Sequence, residues 1–125
     1  DDRVRKTFYL TDVITIMPKQ AGGVMFKGIG QEHGGCDVFV IDEHGKRALD
    51  ERLDEVNHSP DGFQWGYRGS GPAQLAFAIL DELYDTETAY EHYQHFKDDF
   101  VASLEGGTDF RLDAGEVEQW METHG

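Results

Sequence analysis

The sequence predicts an α+β protein: a small, mostly antiparallel sheet from the N-terminal half, packed on two to three helices from the C-terminal half. Two observations carry this. Up to Leu49 the chain carries short runs rich in Val, Ile, Phe and Thr, broken by glycine and proline; from Ser70 onward its apolar positions recur at helical spacing. The 125 residues suit one domain spanning the whole chain, with no internal repeat.

Thr7 to Met17 reads as strand, stopped by Pro18 and open to interruption at Asp12. Val24 to Lys27 is a second candidate, and the polar, glycine-rich Gly28 to Gly35 reads as a mobile loop. Cys36 to Ile41 is the clearest strand, with Cys36, Val38 and Val40 on one face and Asp37, Phe39 and Ile41 on the other. Asp42 to Gly45 is a turn, and Lys46 to Leu49 returns as a hairpin arm. Leu49, Leu53 and Val56 suggest a loosely packed connection. The turn Ser59-Pro60-Asp61-Gly62 leads into Phe63-Gln64-Trp65-Gly66-Tyr67, whose three aromatics would point one way in an extended chain.

Three helices follow. Ser70 or Gly71 caps the first and Pro72 suits its first turn. Its apolar positions from Leu75 to Tyr84 cover more than half the circumference, leaving Gln74, Asp81 and Asp85 as a narrow wet strip; such a helix is expected at the centre. The second runs from about Glu87 to Leu104 on a stripe of Tyr93, Phe96, Phe100 and Leu104, and Gly106-Gly107 ends it. The third opens on Asp113 with Glu116 three residues on, and Val117, Trp120 and Met121 form its apolar face.

The charge is strongly negative: 25 acidic against 11 basic side chains, a net of −14. Such like charge repels itself at low ionic strength and is screened in molar salt, where the Debye length falls to about 3 Å. An evenly acidic, lysine-poor chain reads as salt adaptation, that of a halophilic archaeon; the alternative is an ordinary acidic protein. The acids are interleaved with aromatics and aliphatics throughout, which excludes a disordered acidic tail. No run of eighteen apolar residues offers a membrane span, and no apolar leader follows the first residues. Cys36 is the only cysteine, so no internal disulfide forms. A buried, inert thiol in a reduced cytoplasm fits it.

Asn57 to Leu80 reads NHSPDGFQWGYRGSGPAQLAFAIL. It resembles the signature NHSPxGFxWGYxGSGPAQLAxAIL of a small family of uncharacterised domains in bacteria, haloarchaea and their plasmids and viruses. Tyr93 to Lys97 and Val117 to Met121 are similar to that family's other landmarks, so the resemblance runs from about Val38 to His124. Arg68 stands where glycine is expected, and the first 37 residues have no counterpart. The resemblance groups these residues but implies no activity.

The best functional candidate is this same run. Asn57, His58, Asp61, Trp65, Tyr67, Arg68, Ser70 and Gln74 are the candidate ligand- or partner-binding residues. Free N–H groups at a helix start bind anions, Gly69 and Gly71 would admit a ligand closely, and Arg68 adds positive charge. Read as architecture, the same residues cap, turn and start a helix. The spacing is not that of a Walker loop. Phe63, Trp65 and Tyr67 could stack bases or face the core. His92 and His95, at i, i+3 on the second helix with Glu91 and Asp99 nearby, could hold a metal or simply be solvated. His58 beside Ser59, with Asp61 as orienter, is the only catalytic grouping, and no nucleophile elbow surrounds it. The chain therefore reads as a non-enzymatic accessory or interaction domain, with an unknown protein or a small anion as partner and no cofactor, metal or membrane. The alternatives are a nucleic-acid-associated protein with an aromatic stacking face, and a small hydrolase or metal-dependent enzyme.

Overall fold

A computed structural model describes residues 23–31, 35–58 and 62–124. The strand expected at Thr7 to Met17 and the turn residues Ser59, Pro60 and Asp61 lie outside the described residues.

Among the described residues four strands form one antiparallel sheet: β1 (Met25–Ile29), β2 (Asp37–Asp42), β3 (Gly45–Ala48) and β4 (Phe110–Asp113), in the order β3-β2-β1-β4. The register explains which residues are buried. Phe26 lies opposite both Val40 and Leu112, and Gly28 opposite both Val38 and Phe110. Directly opposed residues share a face, so these two rows form the inner face of the sheet. Gly28 and Ile29, expected in a loop, extend β1 instead. A Cβ at Gly28 would collide with the rings of Phe110 and Trp65, which cover it. The strand β4 is not among the elements expected from the sequence, although Phe110 and Leu112 alternate with Arg111 and Asp113. It comes from the C-terminal half and pairs antiparallel with β1.

Helix α1 (Ser70–Leu83) is the centre of the core, with every residue from Gly71 to Leu80 buried. Leu75, Phe77, Ile79 and Leu80 are fully enclosed, each worth about 1.5–3 kcal/mol relative to exposure. Its N-cap is Gly69, one residue earlier than expected, and makes no side-chain capping bond. Helix α2 (Thr86–Phe96) packs along α1 and runs straight into a π-helical turn, Lys97–Val101. The Asp85 carboxylate caps α2 by accepting from the Thr88 N–H at 2.8 Å. Helix α3 (Ala114–His124) follows β4 directly and buries Val117 and Trp120. One core joins Phe26, Val38, Val40 and Leu112 of the sheet to Leu75 and Phe77 of α1, Phe96 of α2 and Val117 of α3.

Asp81 and Glu82 sit at the C-terminal end of α1, where the helix dipole disfavours negative charge. Two arginines compensate. Arg52, held at φ 60°, donates to Asp81 Oδ2 and Glu82 Oε1, each at 2.9 Å. Arg47, on the otherwise exposed edge strand β3, donates to both Glu82 oxygens. The connection containing Leu49, Leu53 and Val56 is thereby pinned to α1. Burial alone would raise the Glu82 carboxyl, but hydrogen bonds and charge from Arg47 and Arg52 outweigh it and hold the group below its ordinary value.

Candidate interaction surface

The candidate residues divide between interior and surface. Gln74, expected on a wet strip, is fully buried. Its Nε2 donates to the Glu51 carbonyl at 2.6 Å and to the Val56 carbonyl at 2.8 Å, and its Oε1 accepts from the His58 N–H at 2.8 Å. This one amide gives partners to three part-buried backbone groups of the 51–58 loop, which would otherwise cost some free energy. Gln74 therefore positions the loop from below and offers nothing to an outside molecule.

Trp65 is also interior, 2% exposed, with its indole N–H donating to the Thr108 carbonyl at 3.0 Å. It meets Phe110 edge-to-face at 4.7 Å between centroids. Phe63 is equally buried, its carbonyl accepting from the Cys36 N–H at 2.9 Å. The predicted aromatic row does not form, because the chain turns at Gly66, where φ is +94°. Beyond it Tyr67 emerges and is 51% exposed. Trp65 thus presents no face to a base.

The glycines expected to admit a ligand are filled from within. A Cβ at Gly71 would lie 2.5 Å from Gln64 Cβ, and one at Gly69 would lie 2.5 Å from the Tyr67 ring. Gly71 is buried and Pro72 has no N–H, so the anion reading loses the open helix start it rested on.

Asn57, His58, Tyr67, Arg68 and Ser70 remain on the surface, and Asp61 lies outside the described residues. His58 Nε2 is 2.8 Å from the Tyr93 hydroxyl, so its ring is tied to α2. The Gly66 N–H donates to the Val101 carbonyl at 3.0 Å, fastening the start of the exposed segment to the π-helical turn. Arg68 Nε lies 3.7 Å from Asp98 Oδ1 on that same turn, with the guanidinium largely exposed.

His92 and His95, on one flank of α2, do not converge. His92 Nε2 lies 3.7 Å from Glu91, whereas His95 turns to Asp99 at 3.3 Å. His124, arriving from α3, brings Nε2 within 3.7 Å of the same Asp99 oxygen. The i, i+4 spacing of His95 and Asp99 was readable in the sequence; the arrival of His124 was not, because only tertiary packing places it.

The chain belongs to a family of unknown function, DUF6166, which it matches over residues 26–123. The matched segment begins at Phe26, earlier than the Val38 expected from the signature alone, and so takes in β1. Comparison with curated proteins and with solved structures gives no match. No helix among the described residues is long and apolar enough to cross a membrane.

Proposed function

We propose that this chain is a single, non-enzymatic interaction domain that contacts a protein partner through Asn57, His58, Tyr67, Arg68 and Ser70. One observation carries the proposal: Tyr67 and Arg68 stand exposed, side by side, on a frame fixed by buried Trp65, the Gly66–Val101 hydrogen bond and buried Gln74. Tyrosine and arginine are the side chains that most often dominate binding energy at interfaces, and a rigid frame lowers the ordering cost of binding. A photo-crosslinking phenylalanine analogue at position 67, expressed in the native host, should give one discrete adduct. The same analogue at Glu43 in the β2–β3 turn should not, and Arg68→Ala should remove the adduct. The same faint products at both positions would overturn the proposal.

The acidic surface supports a halophilic archaeal setting. Among the described residues no carboxylate is buried, so the acidic side chains there stand where salt can screen them. Loss of far-UV circular dichroism below about 0.5–1 M salt is expected, because screening weakens as the Debye length grows. A full spectrum in dilute buffer would contradict this reading. Buried Cys36, without a disulfide partner, fits a reducing cytoplasm.

A second reading, nucleic-acid binding, is favoured by the outer face of the sheet rather than by Trp65. Arg111, Lys27 and Phe39 form one cross-strand row there, and Lys46 Nζ lies 4.6 Å over the Phe39 ring. Lys27→Glu with Arg111→Glu should then abolish binding of a single-stranded oligonucleotide. Absence of binding by the unsubstituted protein removes this reading.

A further inference from the structure

The end of α2, its π-helical turn and the last turn of α3 bring three potential ligand atoms together. His95 Nε2 lies 3.3 Å from Asp99 Oδ2, His124 Nε2 lies 3.7 Å from the same oxygen, and all three atoms fall within 4.8 Å of one another. A tetrahedral ion with bonds of about 2.0–2.1 Å to nitrogen and oxygen spaces its ligands roughly 3.3–3.4 Å apart. Both contacts to Asp99 are therefore near coordination spacing, and a small rotation of exposed rings closes the rest.

The hydrogen bonds around the cluster decide its chemistry. His124 Nδ1 is 3.1 Å from the Trp120 carbonyl, which can only accept. Nδ1 therefore carries a proton, and in a neutral ring Nε2 is left with a lone pair. That lone pair faces a carboxylate oxygen, also an acceptor. A cation between the two acceptors satisfies both, either a proton on the imidazole or a metal ion shared with His95. The Trp120 indole N–H donates to Asp99 Oδ2 at 2.8 Å, and the Trp120 ring stacks on His124 at 5.0 Å between centroids. Hydrogen-bonded carboxylates and imidazoles whose far nitrogen donates to a backbone carbonyl are the usual supports of metal ligands.

We propose that His95, Asp99 and His124 bind one divalent transition-metal ion of the zinc class, tying α3 to the end of α2. The nitrogen-rich donor set favours such an ion over magnesium or calcium, which prefer all-oxygen shells. All three residues are partly exposed, so the ion can enter from solvent, and its fourth position remains open to water.

The test uses the untagged chain, stripped with chelator and titrated with Zn²⁺ in molar KCl, with stoichiometry read by elemental analysis. One ion per chain is expected, with a rise in melting temperature. Asp99→Asn and His124→Ala should each weaken binding at least 10–100-fold and abolish the thermal shift, while His92→Ala changes neither. Co²⁺ in place of Zn²⁺ should give the intense visible absorption of a tetrahedral site in the unsubstituted protein alone. The proposal is overturned if the unsubstituted protein binds no stoichiometric ion, or if Asp99→Asn and His124→Ala, both folded by circular dichroism, bind as it does.

Discussion

The side-chain amide oxygen of Gln74 accepts the backbone N–H of His58 at 2.8 Å, joining the start of the motif to the buried centre of α1. With its two further bonds to Glu51 and Val56, Gln74 fixes where the surface residues stand. The motif is thus built in two halves. Its interior half, Phe63, Trp65 and Gln74, is buried; its other half, Asn57, His58, Tyr67, Arg68 and Ser70, is exposed and forms the proposed contact surface.

Gly66 is the hinge between these halves. Its φ of +94° disfavours any side chain, and a Cβ there would lie 2.6 Å from the Gly106 backbone nitrogen. Strain at such a backbone position costs about 1–3 kcal/mol, and the clash with backbone adds to it. Gly66→Ala should lower the denaturation midpoint accordingly, whereas Gly45→Ala, also at positive φ but with open space around it, should cost only the backbone strain.

The Arg47–Glu82–Arg52 network predicts a pH signature. Against the opposing effect of burial, the two arginines hold the Glu82 carboxyl below its ordinary value of 4.5. A group whose pKa is depressed on folding stabilises the protein above its unfolded pKa and loses that contribution as pH falls through the folded one. The stability difference between the natural protein and Glu82→Gln should be full at neutral pH. It should shrink as pH drops below 4.5 toward the depressed folded value. A gap that stays constant through that window would show that the network contributes nothing.

Tryptophan fluorescence reports on the interior half. In Trp120→Phe only Trp65 remains, enclosed and hydrogen-bonded to Thr108. Its acrylamide quenching in molar KCl should be weak, and should rise to the level of free tryptophan only on unfolding.

Much of the fold was legible because its residues obey short-range rules. Cys36, Val38 and Val40 alternate and are buried together; Leu75 to Leu80 are apolar all round and lie at the centre; Asp42 to Gly45 turns as its composition dictates. What escaped depends on long-range partners. Gln74 looked wet because glutamine is polar, but three backbone groups distant in sequence satisfy it. Phe110 to Asp113 is too short to announce itself without β1 beside it. Tyr67 parts from Phe63 and Trp65 because one residue, Gly66, takes a backbone angle that alternation ignores. His124 reaches Asp99 only because β4 delivers α3 to the flank of α2.

The two-part construction of the motif is tested most directly by equilibrium denaturation, in molar KCl, of Gln74→Leu beside the double variant Tyr67→Ala with Arg68→Ala. Leaving a buried backbone group without a partner costs about 1–3 kcal/mol; the three groups held by Gln74 are part-buried, so Gln74→Leu should lose about 1–3 kcal/mol in all. Surface substitutions away from structural features stay within about 0.5 kcal/mol each, so the double variant should unfold close to the natural protein. A Gln74→Leu protein as stable as the natural one, or a double variant as damaged as Gln74→Leu, would contradict the division of the motif into frame and contact surface.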